Sequence, residues 1–180
     1  MEAVGMKLNL SRVLGVVAAI GLAGSAMAQE SSNRVAANTD WSVFVEDNPT
    51  ECWGVSAPKE TVNTRDGAVV QARRGDILLF VFHRPSASVS GQVAFTGGYP
   101  FASGSTATML IAGTTFQLFT EGEWAWPATP EDDAKIVAAM KRGADAVVTA
   151  QSGRGTITKD TFSLLGFTAA EEEAAKRCAG

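Results

Sequence analysis

Few side chains in this sequence could do chemistry. There is one histidine, His83, and there are two cysteines, Cys52 and Cys178. A Ser-His-acid hydrolase would need His83 as its base, but no Gly-x-Ser-x-Gly elbow is present. Gly104-Ser105 falls in a small-residue turn, where serine is expected for conformational reasons alone. His83 precedes Arg84-Pro85 and reads as a strand-end residue. Carboxylates cluster at Glu131-Asp132-Asp133, which helix N-terminal electrostatics explains, and at Glu121/Glu123. The latter pair opens the stretch Glu-Gly-Glu-Trp-Ala-Trp-Pro. Its Trp124 and Trp126 could line a sugar or peptide groove, or could cap one end of a core. An enzyme built from this chain would draw its acids and bases from His83, Tyr99 and the Glu121/Glu123 pair. No catalytic residue is assigned on that basis.

The remaining motifs are turns. With one histidine and no Cys-x-x-Cys, neither a metal site nor a cofactor is expected. Gly153-Arg154-Gly155 and Gly97-Gly98 lack the Gly-Lys-Ser/Thr ending of a phosphate loop. Arg74-Gly75-Asp76 is an adhesion tripeptide in other settings and reads here as a turn carrying an acid. Arg73, Arg74 and Arg84 bracket an apolar strand; they form either a small cationic patch or solvated strand ends.

The first residues have the pattern of a secretion signal. Lys7 and Arg12 precede the apolar run Val13 to Ala23, and Ser25-Ala-Met-Ala28 ends in an Ala-x-Ala cleavage site. Residues 1–28 are therefore expected to be a signal peptide starting at Met6, with a retained anchor as the alternative. No other stretch is long and apolar enough to span a bilayer. The expected location is periplasmic or secreted. A net charge of −4 gives no footprint for nucleic acid. Two cysteines in an exported chain read most simply as one disulfide, Cys52–Cys178. Two buried free thiols are the alternative, and a catalytic thiol lacks a histidine near it in sequence.

These residues must be positioned by strands. Residues 29–38 are polar, small and aperiodic and read as a flexible segment, followed by a single β-sandwich domain over 39–180. Trp41, Val43 and Val45 alternate with Ser42, Phe44 and Glu46, and Cys52 to Ser56 follows as a second strand after the Asp47-Asn-Pro turn. Asp66-Gly67 and Ala112-Gly113 mark two hairpins. Ile77 to Phe82 is continuously apolar and reads as a central strand covered on both faces. Val89 to Phe95, Ala146 to Gln151 and Thr156 to Leu164 are further strands. Thr129-Pro130-Glu-Asp-Asp133 starts a helix that Gly143 stops. Thr168-Ala-Ala-Glu171 reads as a capping box opening a short helix that carries Cys178. The fold class expected is mainly β: an antiparallel sandwich or barrel of about eight or nine short strands, with two helices in the C-terminal third.

Asp40-Trp41-Ser-Val-Phe, Glu51-Cys-Trp53, Arg73-Arg-Gly-Asp-Ile77, Phe95-Thr-Gly-Gly-Tyr-Pro-Phe101 and Ser163-Leu-Leu-Gly-Phe-Thr-Ala-Ala with the late Cys178 occur in that order. Over about residues 38–178 the sequence resembles the invasion-associated locus B family of exported alphaproteobacterial proteins. The resemblance implies an exported β-sandwich, linked in some pathogens to host-cell entry, with no catalytic residue to carry over. Family members often have a further early cysteine after Asp-Trp-x-Val, where Phe44 and Val45 stand here; one disulfide at most is left. The reading that results is a non-enzymatic envelope or host-interaction module whose partner is an envelope or host-surface protein. Tyr99, Trp124 and Trp126 form its candidate binding surface. The alternatives are a periplasmic enzyme using His83 and nearby carboxylates, and a structural partner covering the edge strand of another envelope protein.

Overall fold

Alternating apolar residues along short segments build one large antiparallel sheet. The computed structural model describes residues 33–179; the expected leader and its cleavage site lie outside the described residues. The strands are β1 (Arg34–Asn38), β2 (Trp41–Asp47), β3 (Thr50–Ser56), β4 (Glu60–Arg65), β5 (Ala68–Val69), β6 (Leu78–Arg84), β7 (Val89–Thr96), β8 (Thr106–Ile111), β9 (Thr114–Glu121), β10 (Trp124–Trp126), β11 (Asp145–Gln151) and β12 (Ile157–Ser163). Across the sheet they run β1-β2-β3-β6-β7-β10-β9-β8-β11-β12-β4-β5. The two helices, α1 (Pro130–Met140) and α2 (Phe167–Cys178), both fall in the last third of the chain. The expected class therefore holds, with twelve strands among the described residues in place of eight or nine.

The sheet curls so that its two halves enclose one core. Phe95 on β7 meets Phe162 on β12 edge to face, with ring centroids 6.0 Å apart. The Trp41 indole on β2 donates to the Ser163 carbonyl at the end of β12, at 3.0 Å. Period-two alternation puts Trp41, Val43, Cys52, Leu79, Val81, Val93, Phe95, Met109, Ile111, Leu118 and Val148 on the enclosed face, essentially without solvent contact. Phe167, Ala170 and Ala174 of α2 and Ile136 and Met140 of α1 fill the same core. Both helices thus pack on the concave side. At Gly54, a β-carbon would meet Val81 at 3.1 Å and Ala170 at 3.6 Å, so the absence of a side chain lets α2 lie close on β3.

Several local readings change. Residues 34–38, expected to be flexible, form β1 and pair with β2 through a bulge between Arg34 and Ala36. Strand pairing is made by backbone groups, and a small, aperiodic segment such as Arg-Val-Ala-Ala-Asn carries no side-chain pattern that announces it. Trp124–Trp126, expected in an exit loop, form β10 between β7 and β9. The helix at 130 is as read: the Thr129 hydroxyl accepts from the Asp132 amide at 3.2 Å, with proline at the first helical position. The second helix has no capping box. Gly166, at φ 92°, is its N-cap, and the Ala170 amide donates to the Gly166 carbonyl at 3.0 Å. A β-carbon at Gly166 would lie 1.9 Å from the Asn38 carbonyl oxygen, so only glycine fits the chain crossing there. Glu171 turns inward instead of back toward the helix start.

Cys52 on β3 and Cys178 at the end of α2 are joined, S–S 2.06 Å, Cα–Cα 5.9 Å. Among the described residues, no helix is long and apolar enough to cross a membrane.

Candidate functional site

β6 is an interior strand, fourth of twelve in the sheet order, but only one of its faces lies under the helices. Leu79, Val81 and His83 point into the core, while Leu78, Phe80, Phe82 and Arg84 point outward. The outward positions of the neighbouring strands are also aromatic. Phe44 on β2 is registered opposite Trp53 on β3, which is opposite Phe82 on β6. The rings follow that register: Phe44 stacks on Trp53 at 5.7 Å, Trp53 meets Phe82 at 6.3 Å, and Phe82 stacks on Phe80 at 5.0 Å. Phe80 then meets Trp124 at 5.6 Å, and Trp124 stacks on Trp126 at 6.2 Å. Between Phe80 and Trp124 lies β7, whose residue opposite Phe80 is Ala94. Its small side chain is buried beneath the two rings and leaves them room to meet.

Six rings therefore form a continuous row across the uncovered face. Trp124 keeps 37 % of its surface, and Phe119 on β9, registered opposite Trp126, keeps 58 %. The Phe82 end is polar: the Arg84 guanidinium lies 4.2 Å above the Phe82 ring, donates to Gln92 at 2.8 Å and pairs with Glu51 at 3.2 Å. Aromatic residues and arginine are residue types enriched in protein interfaces, and a solvated sheet face carries few of them.

The expected surface residues divide. Trp124 and Trp126 lie in the row. Tyr99 does not join them: its ring packs edge to face on Phe101 and under the Arg74 guanidinium, and its hydroxyl is 2.5 Å from that of Thr158. The chain turns inward after Gly98 because the β5–β6 loop crosses there, the Gly75 amide donating to the Gly98 carbonyl at 2.8 Å. Burial pushes the Tyr99 phenol up from its ordinary value. Phe44, Trp53, Phe80 and Phe82 were not singled out by sequence. Their signal is an aromatic at the position of each strand's alternation that is polar in a half-solvated sheet.

His83 is 4 % exposed and faces α2. Its Nδ1 is 3.4 Å from the Ser90 hydroxyl, and its Nε2 lies 3.9 Å from a Glu171 oxygen without a hydrogen bond. Glu171 in turn pairs with Lys141 at 2.5 Å. Desolvation lowers the His83 pKa, with the Glu171 charge opposing. The Glu121/Glu123 pair is in the β9–β10 turn, away from this cluster, so the histidine and those acids are not brought together. Among the described residues, no group of three or more His, Cys, Asp or Glu side chains is placed to hold a metal ion.

Residues 105–175 match the family model described as Invasion associated locus B (IalB) protein. The family resemblance is thus borne out from β8 to most of α2, and the earlier motifs at 40–53 and 73–77 lie outside the matched stretch. No curated protein matches the chain. No solved structure matches it either.

Proposed function

We propose that this IalB-like chain is an exported, non-enzymatic binding module, and that the aromatic row on the uncovered face of the sheet is where it engages an envelope or host-surface protein. The observation that carries the reading is the pairing of two facts: both helices pack on the concave side, and the convex side carries six touching rings, Phe80 buried among them and Trp124 exposed, with Phe119 exposed beside the row. Rigid aromatic anchors carry most of the binding energy of protein interfaces, and strands fix these rings so that little rotamer freedom is left to lose. The disulfide is in keeping with an oxidising compartment outside the cytoplasm.

A photo-crosslinking residue placed at Phe119 in cells should give one discrete adduct, and the same residue at Lys135, on the exposed side of α1, should give none. Trp124→Ser should weaken that adduct strongly, since truncating an aromatic anchor of an interface costs about 2–4 kcal/mol of binding. Equal adducts from both positions, or an adduct untouched by Trp124→Ser in a protein with an unchanged urea midpoint, would reject the aromatic row as the binding surface.

A further inference from the structure

Where the β4–β5 turn, the β5–β6 loop, the β7–β8 loop and the β11–β12 turn converge, they surround an open cavity of about 560 Å³. Four arginines line it: Arg65, Arg73, Arg74 and Arg154. Glu123 is the one carboxylate among its lining residues, in a chain whose net charge is −4. The four guanidiniums are used differently. Arg74 is buried and spends itself on Asp160, with bonds of 2.7 and 2.5 Å. Arg65 gives one bond of 2.6 Å to the Thr156 hydroxyl. Arg73 and Arg154 have no ion pair or hydrogen bond from their side chains to any described residue.

The cavity floor is polar and already satisfied internally. The Thr156 amide donates to the Ser152 hydroxyl at 3.1 Å, and Thr158 meets Tyr99. Ser152, Thr156 and Thr158 are buried. The wall is held in shape by the approach of Gly98, at φ 70°, to Gly75: a β-carbon on Gly98 would come within 2.6 Å of the Gly75 backbone. Arg74 also donates to the Gly97 carbonyl at 2.8 Å, so the same residue that neutralises Asp160 fixes this crossing. The result is a cross-tied recess in which Arg73 and Arg154 have no charge partner among the described residues.

We infer that this cavity binds a ligand bearing an oxyanion (phosphate, sulfate or carboxylate) on a polar body, held by Arg73, Arg154 and the free side of Arg65. The guanidinium fork matches such groups in bidentate fashion. Like charges gathered in one recess repel each other, and a bound anion relieves that repulsion. The volume exceeds that of a bare oxyanion and falls in the range of small-molecule sites. Asn63 and Gln71, on the same walls, offer donors and acceptors to hydroxyl groups. The cavity borders the aromatic row at the β9–β10 turn, through Glu123, but the inference does not depend on that row.

Titration calorimetry of the full chain with inorganic phosphate, glucose 6-phosphate, glucuronate and neutral glucose tests it. One or more of the three anions should bind, more weakly as salt is raised, and glucose should not. Arg73→Gln and Arg154→Gln should each weaken the anion about tenfold or more, the size of one lost charge-assisted bond. Arg84→Gln, on the convex face, should leave it unchanged, and so should Trp124→Ser, which separates this site from the proposed partner surface. Binding of none of the anions, equal binding of glucose, or affinity unchanged in Arg73→Gln and Arg154→Gln would overturn the inference.

Discussion

Asp133 and His83 are buried titratable groups whose effects on stability run in opposite directions with pH. Asp133 accepts a 2.8 Å bond from the Val93 amide, yet burial pushes its pKa from 3.8 to about 6. Its folded form therefore holds a proton that the unfolded chain has released, so its contribution is greatest below pH 3.8 and is lost as pH rises to about 6. His83 has its pKa lowered by desolvation from 6.5, so the unfolded chain takes up the proton first and stability falls as pH drops below 6.5. Asp133→Asn keeps an acceptor for Val93 and removes the buried charge. At pH 7 it should gain about 1–3 kcal/mol over the wild type, an advantage that shrinks toward pH 4. His83→Gln should show its advantage only in acid. Urea midpoints measured for the three proteins between pH 4 and 7 check both signs. The acid at 133 was legible as a helix-start residue from Thr129-Pro130-Glu-Asp-Asp. Its burial was not, because that depends on β7 arriving beside α1 from forty residues away.

Between elements, the buried Arg74–Asp160 pair ties the β5–β6 loop to β12. Burial pushes the Asp160 carboxyl up, and the Arg74 guanidinium works against that shift. Removing one partner leaves a charge stranded in the interior, so Arg74→Met should cost about 3–5 kcal/mol, and Arg74→Met with Asp160→Leu should recover most of it. Chemical denaturation of the single and double variants gives the comparison. At this scale the sequence told where local chemistry decides the outcome: the hairpins at Asp66-Gly67 and Ala112-Gly113, and α1 with its threonine cap. It was silent where partners come from afar. Nothing in Arg34–Asn38 or Trp124–Trp126 marks them as strands, since each is defined by the neighbour that receives it. The capping-box reading of Thr168 to Glu171 failed because Glu171 has a better use against Lys141 and near His83. Only one end of the aromatic row was visible. Trp124 and Trp126 stand out as a pair, whereas Phe44, Trp53, Phe80 and Phe82 were absorbed into apolar strand patterns and are joined only by register. Arg154 was hidden in the same way, inside a Gly-Arg-Gly turn that brings it to the cavity of Arg73 only in the folded sheet.

For the molecule as a whole, the Cys52–Cys178 bridge joins the third strand to the last helix across 126 positions. Closing so long a loop restricts the unfolded chain, and the chain-entropy model gives about 4–5 kcal/mol, with measured values often lower. Cys52→Ser with Cys178→Ser should therefore lower the unfolding free energy by about 2–5 kcal/mol, read as a shift of the urea midpoint relative to the oxidised wild type. The mainly β class and the family resemblance over residues 105–175 could be argued from the sequence because they rest on turn residues, alternation and motif order. The division of labour between a helix-covered concave side and an aromatic convex side could not, because alternation alone does not say which side the helices take. The bridge has one more effect. The β4–β5 turn at Asp66-Gly67 and the β11–β12 turn at Gly153–Gly155 both lie inside the covalent ring that the cysteines close. A protease that nicks either turn once leaves the pieces fastened to each other, and they part on a gel only after a reductant is added.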